Sequence, residues 1–365
     1  MPNVTTPSTA PFPDPPSDAE LAAFSQALVA WQKKCGRHDL PWQQSKDAYR
    51  VWLSEIMLQQ TQVVTVKDYY QRFLSQLPTV EALANAPSEQ VMALWAGLGY
   101  YSRARNLHKC AQQVMSDWQG EFPRTAKELE TLSGIGPSTA AAIASTCFQE
   151  RVAILDGNVK RVLARWLGLD ADIGDAASVR WLAKVAQQLA DSVGSQRDMP
   201  VFTQGLMDLG ATVCKPKQPE CDRCPMMSNC RALATGRQLE LPVKRRRVKR
   251  QTQRWWLAFV CNQQGEWAWG QRPARGIWSG LHTPLIFEEE AVLRDWLAEY
   301  ARDCDHWPMV KHVLTHRDLF LYPVVAQLKP KACPPLGAVQ WLAPDDAEAL
   351  GMPAPIVKLW RQVSR

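Results

Sequence analysis

Two carboxylic acids sit in unusual settings in this sequence. Glu55 falls inside an apolar run that includes Tyr49, Val51, Trp52, Leu53, Ile56 and Met57. A lone acid in an apolar helix is costly unless it is paired, neutral or functional. The plainer alternative is a glutamate on an exposed face. Asp156 ends the apolar run Val152–Leu155, just before Gly157-Asn158. It is placed to cap the next helix, or to be aimed at a ligand. Upstream, Gly134-Ile135-Gly136-Pro137 opens a helix of small residues. Glycines permit a tight turn and close backbone approach, and the free amides of a helix start can take an anion such as a DNA phosphate. Taken alone, this stretch also fits an ordinary helix hairpin with an aspartate cap.

Four cysteines carry a second kind of chemistry. Cys214, Cys221, Cys224 and Cys230 form a C-x6-C-x2-C-x5-C array. Four thiolates at such spacing suit zinc or an iron–sulfur cubane. The compact, proline-bearing loop favours the 4Fe-4S cluster, with Lys215, Lys217 and Arg223 presenting charge nearby.

Other stretches suit nucleic acid. Gln59, Gln60, Thr61 and Gln62 offer hydrogen bonds without charge, which suits reading base edges or filling a gap in a duplex. Gly97-Leu98-Gly99-Tyr100-Tyr101 is a flexible turn with two aromatics, followed by Arg103, Arg105 and His108. That combination fits a wedge beside backbone contacts, or else core packing by the tyrosines. Lys244 to Arg254 holds seven cations and no acid, which exceeds the net charge of +6 for all 365 residues. The basic balance is therefore local. It serves phosphates, or simply a solvated linker.

These residues need a scaffold, and the chain is long enough for two domains. Helical periodicity runs from a first helix at 19–36 through helices at about 158–167, 176–192 and 200–213. From Trp255 the pattern changes to short strands bounded by turns, among them 256–260, 267–269, 285–287, 313–315, 319–324 and 339–341, with helices near 288–300 and 354–361. The expected organisation is a disordered tail at 1–18, a mostly α domain at 19–230 with the cysteine loop at 214–230, a basic linker at 231–250, and an α+β domain at 251–365. The first seventeen residues hold six prolines and no apolar core of a signal peptide. No run approaches the ~18 apolar residues of a membrane span. Ten cysteines in this length, four of them clustered, do not read as a disulfide framework. A cytoplasmic protein is expected, with no membrane partner.

With these features in hand, the first domain resembles the helix-hairpin-helix base-excision glycosylases, and most specifically the MutY-type adenine DNA glycosylases. LPWQQSKDAYRVWLSEIMLQQTQV, LWAGLGYYSRARNLHK, LSGIGPSTAAAI, ILDGNVKRVLAR, QGLMDLGATVC and the cysteine array occur in order. GIWSGL and HVLTH are similar to motifs of that family's MutT-like (Nudix-like) C-terminal domain. The resemblance implies a two-lobed glycosylase domain with a 4Fe-4S loop, followed by an α+β MutT-like domain, acting as a monomer. Its substrate would be duplex DNA with adenine opposite 8-oxoguanine or guanine. It implies Glu55 as catalytic acid, Asp156 as second carboxylate and Asn158 as support. Leu40, Trp42 and Gln204 would border the flipped adenine. Gln59, Gln60, Thr61, Tyr100, Arg103, Arg105, Gly134, Gly136, Ser138 and Thr139 would meet DNA. Gln60, Tyr100, Thr315 and His316 would read 8-oxoguanine, and the four cysteines would hold the cluster.

Two departures matter. Endonuclease III-like relatives carry a lysine where this chain has Ser138, and a serine cannot form the Schiff base of strand scission. A monofunctional enzyme is expected, over a bifunctional glycosylase/lyase for oxidised pyrimidines or a non-catalytic DNA-binding protein. In the second domain Leu314 stands where the family has an aromatic. Glu288, Glu289 and Glu290 form no hydrolase metal box, so a lesion reader without nucleotide hydrolase activity is expected there. The chemistry asks for two acids in different environments. One must be protonated near neutrality to assist adenine's departure, and one ionised beside the cationic sugar.

Overall fold

The computed structural model describes residues 12–244, 250–273, 275–314, 316–335 and 337–364. Before the sheet, the helices run α1 (Asp18–Cys35), α2 (Ala48–Leu58), α3 (Val63–Gln76), α4 (Val80–Asn85), α5 (Ser88–Leu94), α6 (Ser102–Trp118), α7 (Ala126–Leu129), α8 (Pro137–Phe148), α9 (Gly157–Leu167), α10 (Ala176–Asp191), α11 (Met199–Asp208) and α12 (Arg231–Ala234). The backbone falls into two compact units. One holds residues 1–63, 79–81 and 109–247. The other holds 64–78, 82–108 and 248–365.

The first unit is helical. Its core joins Leu21, Phe24 and Leu28 of α1 to Val159, Leu163 and Trp166 of α9, to Leu182 and Leu189 of α10, and to Phe202 and Leu206 of α11. The helix boundaries follow capping chemistry. Ser17 starts α1 with a capping box through Glu20, and Gly168, in the left-handed region at φ 67°, ends α9. Residues ahead of α1 are held: Phe12 stacks on Trp181 at 5.6 Å, and the Asp14 carbonyl accepts a bond from Arg231. The first part of the predicted linker also packs here. Leu241 is buried, and its carbonyl accepts a bond from Arg165 Nε at 2.9 Å. The cations Arg245, Arg246, Arg247 and Lys249 lie outside the described residues.

The second unit joins residues of α3–α6 to a mixed sheet. Its strands are β1 (Gln251–Cys261), β2 (Trp267–Gln271), β3 (His282–Thr283), β4 (Leu285–Phe287), β5 (Ala301–His306), β6 (Val310–Val313), β7 (Arg317–Leu328) and β8 (Val339–Leu342). The main path is β3-β2-β1-β7-β5. β1 and β7 pair in parallel from Gln251↔Arg317 to Cys261↔Gln327, and the other pairs are antiparallel. Alternation along β1 sorts its side chains. Trp255, Leu257 and Phe259 join Ile356, Leu359 and Trp360 of α15 (Ala354–Val363), which follows α14 (Pro344–Glu348). Ala258 and Val260 join Leu293 and Leu297 of α13 (Glu290–Tyr300) on the opposite face. Among the described residues no helix is long and apolar enough to cross a membrane.

Candidate active site

The first unit contains a cavity of about 380 Å³, within the range of small-molecule sites. Glu55, Asp156, Asn158, Leu40, Trp42, Gln204, Gln59, Thr61, Ser138 and Thr139, all singled out from the sequence, line it. Each comes from a different device. Glu55 lies on α2, whose Val51, Trp52, Leu53, Ser54, Ile56 and Met57 are buried. Leu40 and Trp42 belong to the buried 3-10 turn ahead of it. Ser138 and Thr139 sit in the first turn of α8 behind Gly136, and Pro137 begins that helix without an amide to satisfy. Gly134, at φ 78°, supplies the left-handed corner of the hairpin. A side chain on Gly136 would meet no atom within 4 Å, so the backbone is open in front of it.

The two acids occupy contrasting environments. Burial pushes the Glu55 carboxyl up to about 7, and the negative charge of Asp156 adds to the effect. Asp156 instead caps α9. Its Oδ1 accepts bonds from the amides of Asn158 at 2.9 Å and Val159 at 2.7 Å, where the helix terminus suits negative charge. The capping and ligand-facing readings of Asp156 are therefore compatible: it caps the helix and lines the cavity. Ser138 Oγ accepts the Leu155 amide at 3.3 Å, one residue before Asp156. Gln59 Nε2 donates to Thr139 Oγ1 at 3.3 Å.

Three residues that sequence reasoning missed brace this wall. Arg37 lines the cavity. Asp208, with a fully buried side chain, binds both Arg37 and Gln204. Arg161 donates to Asn158 Oδ1 at 2.9 Å and to the Gly210 carbonyl at 2.7 Å. The signal that marked Glu55, a single acid in an apolar helix, was equally present at Asp208 in Gly205-Leu206-Met207-Asp208-Leu209.

Two residues expected to meet DNA adopt strained backbones. Gln60 (φ 57°) and Tyr100 (φ 51°) lie in the left-handed region and are exposed, a cost that commonly marks functional positions. Around Tyr100 the arginines are engaged within the protein. Arg103 is buried, donates to the Leu98 and Gly99 carbonyls and lies over the Trp95 and Tyr100 rings, so it braces the turn. Burial pulls its guanidinium down to about 10. Arg105 donates to the Ser279 carbonyl and Oγ, both at 2.7 Å. Tyr100, Arg105, Trp278, Ser279 and His316 line a second cavity of about 430 Å³ in the second unit. Thr315 lies outside the described residues.

The 4Fe-4S cofactor needs correction. Among the described residues no group of three or more His, Cys, Asp or Glu side chains is arranged to hold a metal ion. Cys214, Cys221, Cys224 and Cys230 do line one cavity, but its volume is only about 30 Å³. Cys230 Sγ donates to the Arg165 carbonyl at 3.5 Å, and Cys214 Sγ accepts from Arg165 Nη1 at 3.3 Å. The spacing suggested a cluster; two of the four sulfurs, those of Cys214 and Cys230, bond instead to the Arg165 side chain and backbone.

Comparison with known proteins identifies relatives of this chain. The HhH-GPD superfamily of base excision DNA repair proteins matches residues 53–188, and the NUDIX domain matches 256–362. The adenine DNA glycosylase of Buchnera aphidicola subsp. Baizongia pistaciae is 30% identical over 94% of this chain and 97% of its own length. The chain belongs to the adenine DNA glycosylase family. The human adenine DNA glycosylase is 44% identical over 59% of this chain and 40% of its own length. Among solved structures, a thermostable thymine-DNA glycosylase is similar at a TM-score of 0.53 and 27% identity, covering 60% of this chain and 98% of that one. An endonuclease III–DNA complex shares the fold at a TM-score of 0.50 and 20% identity, covering 60% of this chain and 98% of that one. Adenine DNA glycosylases are hydrolases of N-glycosyl bonds, and this chain is an enzyme of that class.

Proposed function

We propose that this enzyme removes adenine opposite 8-oxoguanine or guanine in duplex DNA, by flipping the base into the 380 Å³ cavity. The observation that carries the reading is the pairing of a Glu55 carboxyl raised to about 7 with Asp156 on the wall of one cavity. Glu55 donates its proton to a ring nitrogen of adenine, most simply N7, so that the base leaves neutral. The C–N bond breaks with its electrons going to the base, and the sugar becomes cationic. Asp156 stabilises that cation or bonds to it transiently. Water then adds to the anomeric carbon, and Glu55 recovers a proton from it. Gln60 and Tyr100 enter the duplex near the lesion, and His316 with Thr315 contributes to reading 8-oxoguanine. Gly134 and Gly136 offer amides to a phosphate.

The reaction stops at the abasic site. Among the described residues lining the cavity none is lysine, and Ser138 is engaged with the Leu155 amide. Base release from duplexes with adenine opposite 8-oxoguanine, adenine opposite guanine, or thymine glycol tests the reading. Adenine should leave, thymine glycol should stay, and strands should break only after alkali. Release of thymine glycol, or covalent trapping on DNA by borohydride, would overturn it.

A further inference from the structure

Two polar side chains of the cavity wall, Arg37 and Gln204, converge on one carboxylate behind it. Asp208, at the end of α11, has a side chain with no exposure and is not itself among the lining residues. Its Oδ1 accepts from Arg37 Nε at 2.7 Å and Gln204 Nε2 at 2.8 Å, and its Oδ2 accepts the Arg37 backbone amide at 2.9 Å. A carboxylate can only accept. A glutamine amide has a donor end and an acceptor end, and flipping exchanges them. Here the donor end is committed to Asp208. The end left for a ligand is the carbonyl oxygen, Oε1.

We propose that Asp208 is a positioning residue that locks the Gln204 amide and thereby makes the cavity selective for a 6-amino purine over a 6-oxo purine. A 6-amino group donates to Oε1. A 6-oxo group sets oxygen against oxygen and leaves both unpaired in a buried site. Sites built on such a hydrogen bond reject the mismatched analogue strongly. Without the lock, the amide turns over and serves either base. The arrangement also explains why a charge is buried here: Arg37 neutralises Asp208, so the lock holds without an unpaired ion. This inference rests on the adenine-release reading above.

The test is single-turnover release of adenine and of hypoxanthine, its 6-oxo counterpart, from duplexes with either base opposite 8-oxoguanine. Wild type should favour adenine, and Asp208→Leu, which has no acceptor, should lower the adenine-to-hypoxanthine ratio at least tenfold. A merely structural role would slow both bases equally and leave the ratio unchanged, which would overturn the proposal. Gln204→Met, which lacks the amide, should also collapse the ratio. Adding Asp208→Leu to it should change the ratio no further. If Asp208→Leu does not fold, an unchanged ratio in Gln204→Met overturns the proposal by itself. So does a wild type that shows no preference between the two bases. A wild type that releases neither base refutes the adenine-release reading instead.

Discussion

At the residue scale, Glu55 governs both rate and stability. A carboxyl held at about 7 is protonated in a useful fraction at neutral pH. Single-turnover excision should be flat below pH 7 and fall about tenfold per unit above it. Glu55→Gln should lower the rate by ~10²–10⁴ while preserving duplex binding. Its effect on folding has the opposite sign. Between the ordinary carboxyl value of 4.5 and about 7, the folded state binds the Glu55 proton more tightly than the unfolded chain does. Glu55 therefore costs stability progressively as pH rises through that window, and the full cost applies above it. Glu55→Gln removes that cost, so its melting temperature should exceed wild type by more at pH 8 than at pH 4.5. Equal differences at the two pH values would show that Glu55 keeps its ordinary affinity for the proton. Asp156→Asn separates charge from capping, because asparagine caps helices as well as aspartate does. The fold should hold while excision falls about a hundredfold or more. Asp156→Ala should in addition lose about 1 kcal/mol of stability, measurable by urea unfolding.

At the element scale, the site depends on a short π-helical turn, Leu209–Val213, that continues α11. It brings Gly210 against α9, where an added Cβ would lie 2.8 Å from Asn158 Cβ. Gly210→Ala should cost about 1–3 kcal/mol by overpacking and slow excision through Asn158, as urea unfolding and single-turnover rates would show. This turn also marks what the sequence could and could not convey. Glu55 and Asp156 stood out because each breaks an apolar run, and the helices carrying them follow capping and periodicity. Helix α1 was expected at 19–36 and spans Asp18–Cys35. Arg37 was not legible, since it follows Gly36 in a polar loop and becomes a wall residue only through Asp208, distant in sequence. Strand β5 was missed because Arg302, Asp303, Cys304, Asp305 and His306 are exposed on a sheet edge, where charge replaces alternation. The cysteine spacing misled for a related reason. Spacing reports which sulfurs can meet, whereas the volume between them depends on the surrounding packing.

At the scale of the whole molecule, the sheet-bearing unit incorporates residues 64–78 and 82–108, far from 248–365 in sequence. The joints are specific. Tyr101 Oη accepts the Gly97 amide at 3.1 Å and donates to the Met352 carbonyl at 2.6 Å, while Arg105 holds Ser279. Deleting residues 251–365 should speed hydrogen exchange of amides in 97–108 but leave those of α9 and α11 near their intact protection. Uniform protection after deletion would show that the joints carry no stability. The pairing of β1 with β7 and the Tyr101–Met352 bond were beyond reach of local pattern, because both join segments separated by long stretches of chain. The Tyr101–Met352 bond also sets an order of events during translation. Tyr101 leaves the ribosome 251 residues before Met352. At roughly 5–20 residues per second, the turn bearing Tyr100 waits many seconds for its partner, so the glycosylase half of a nascent chain emerges before the segment that fastens this turn has been made.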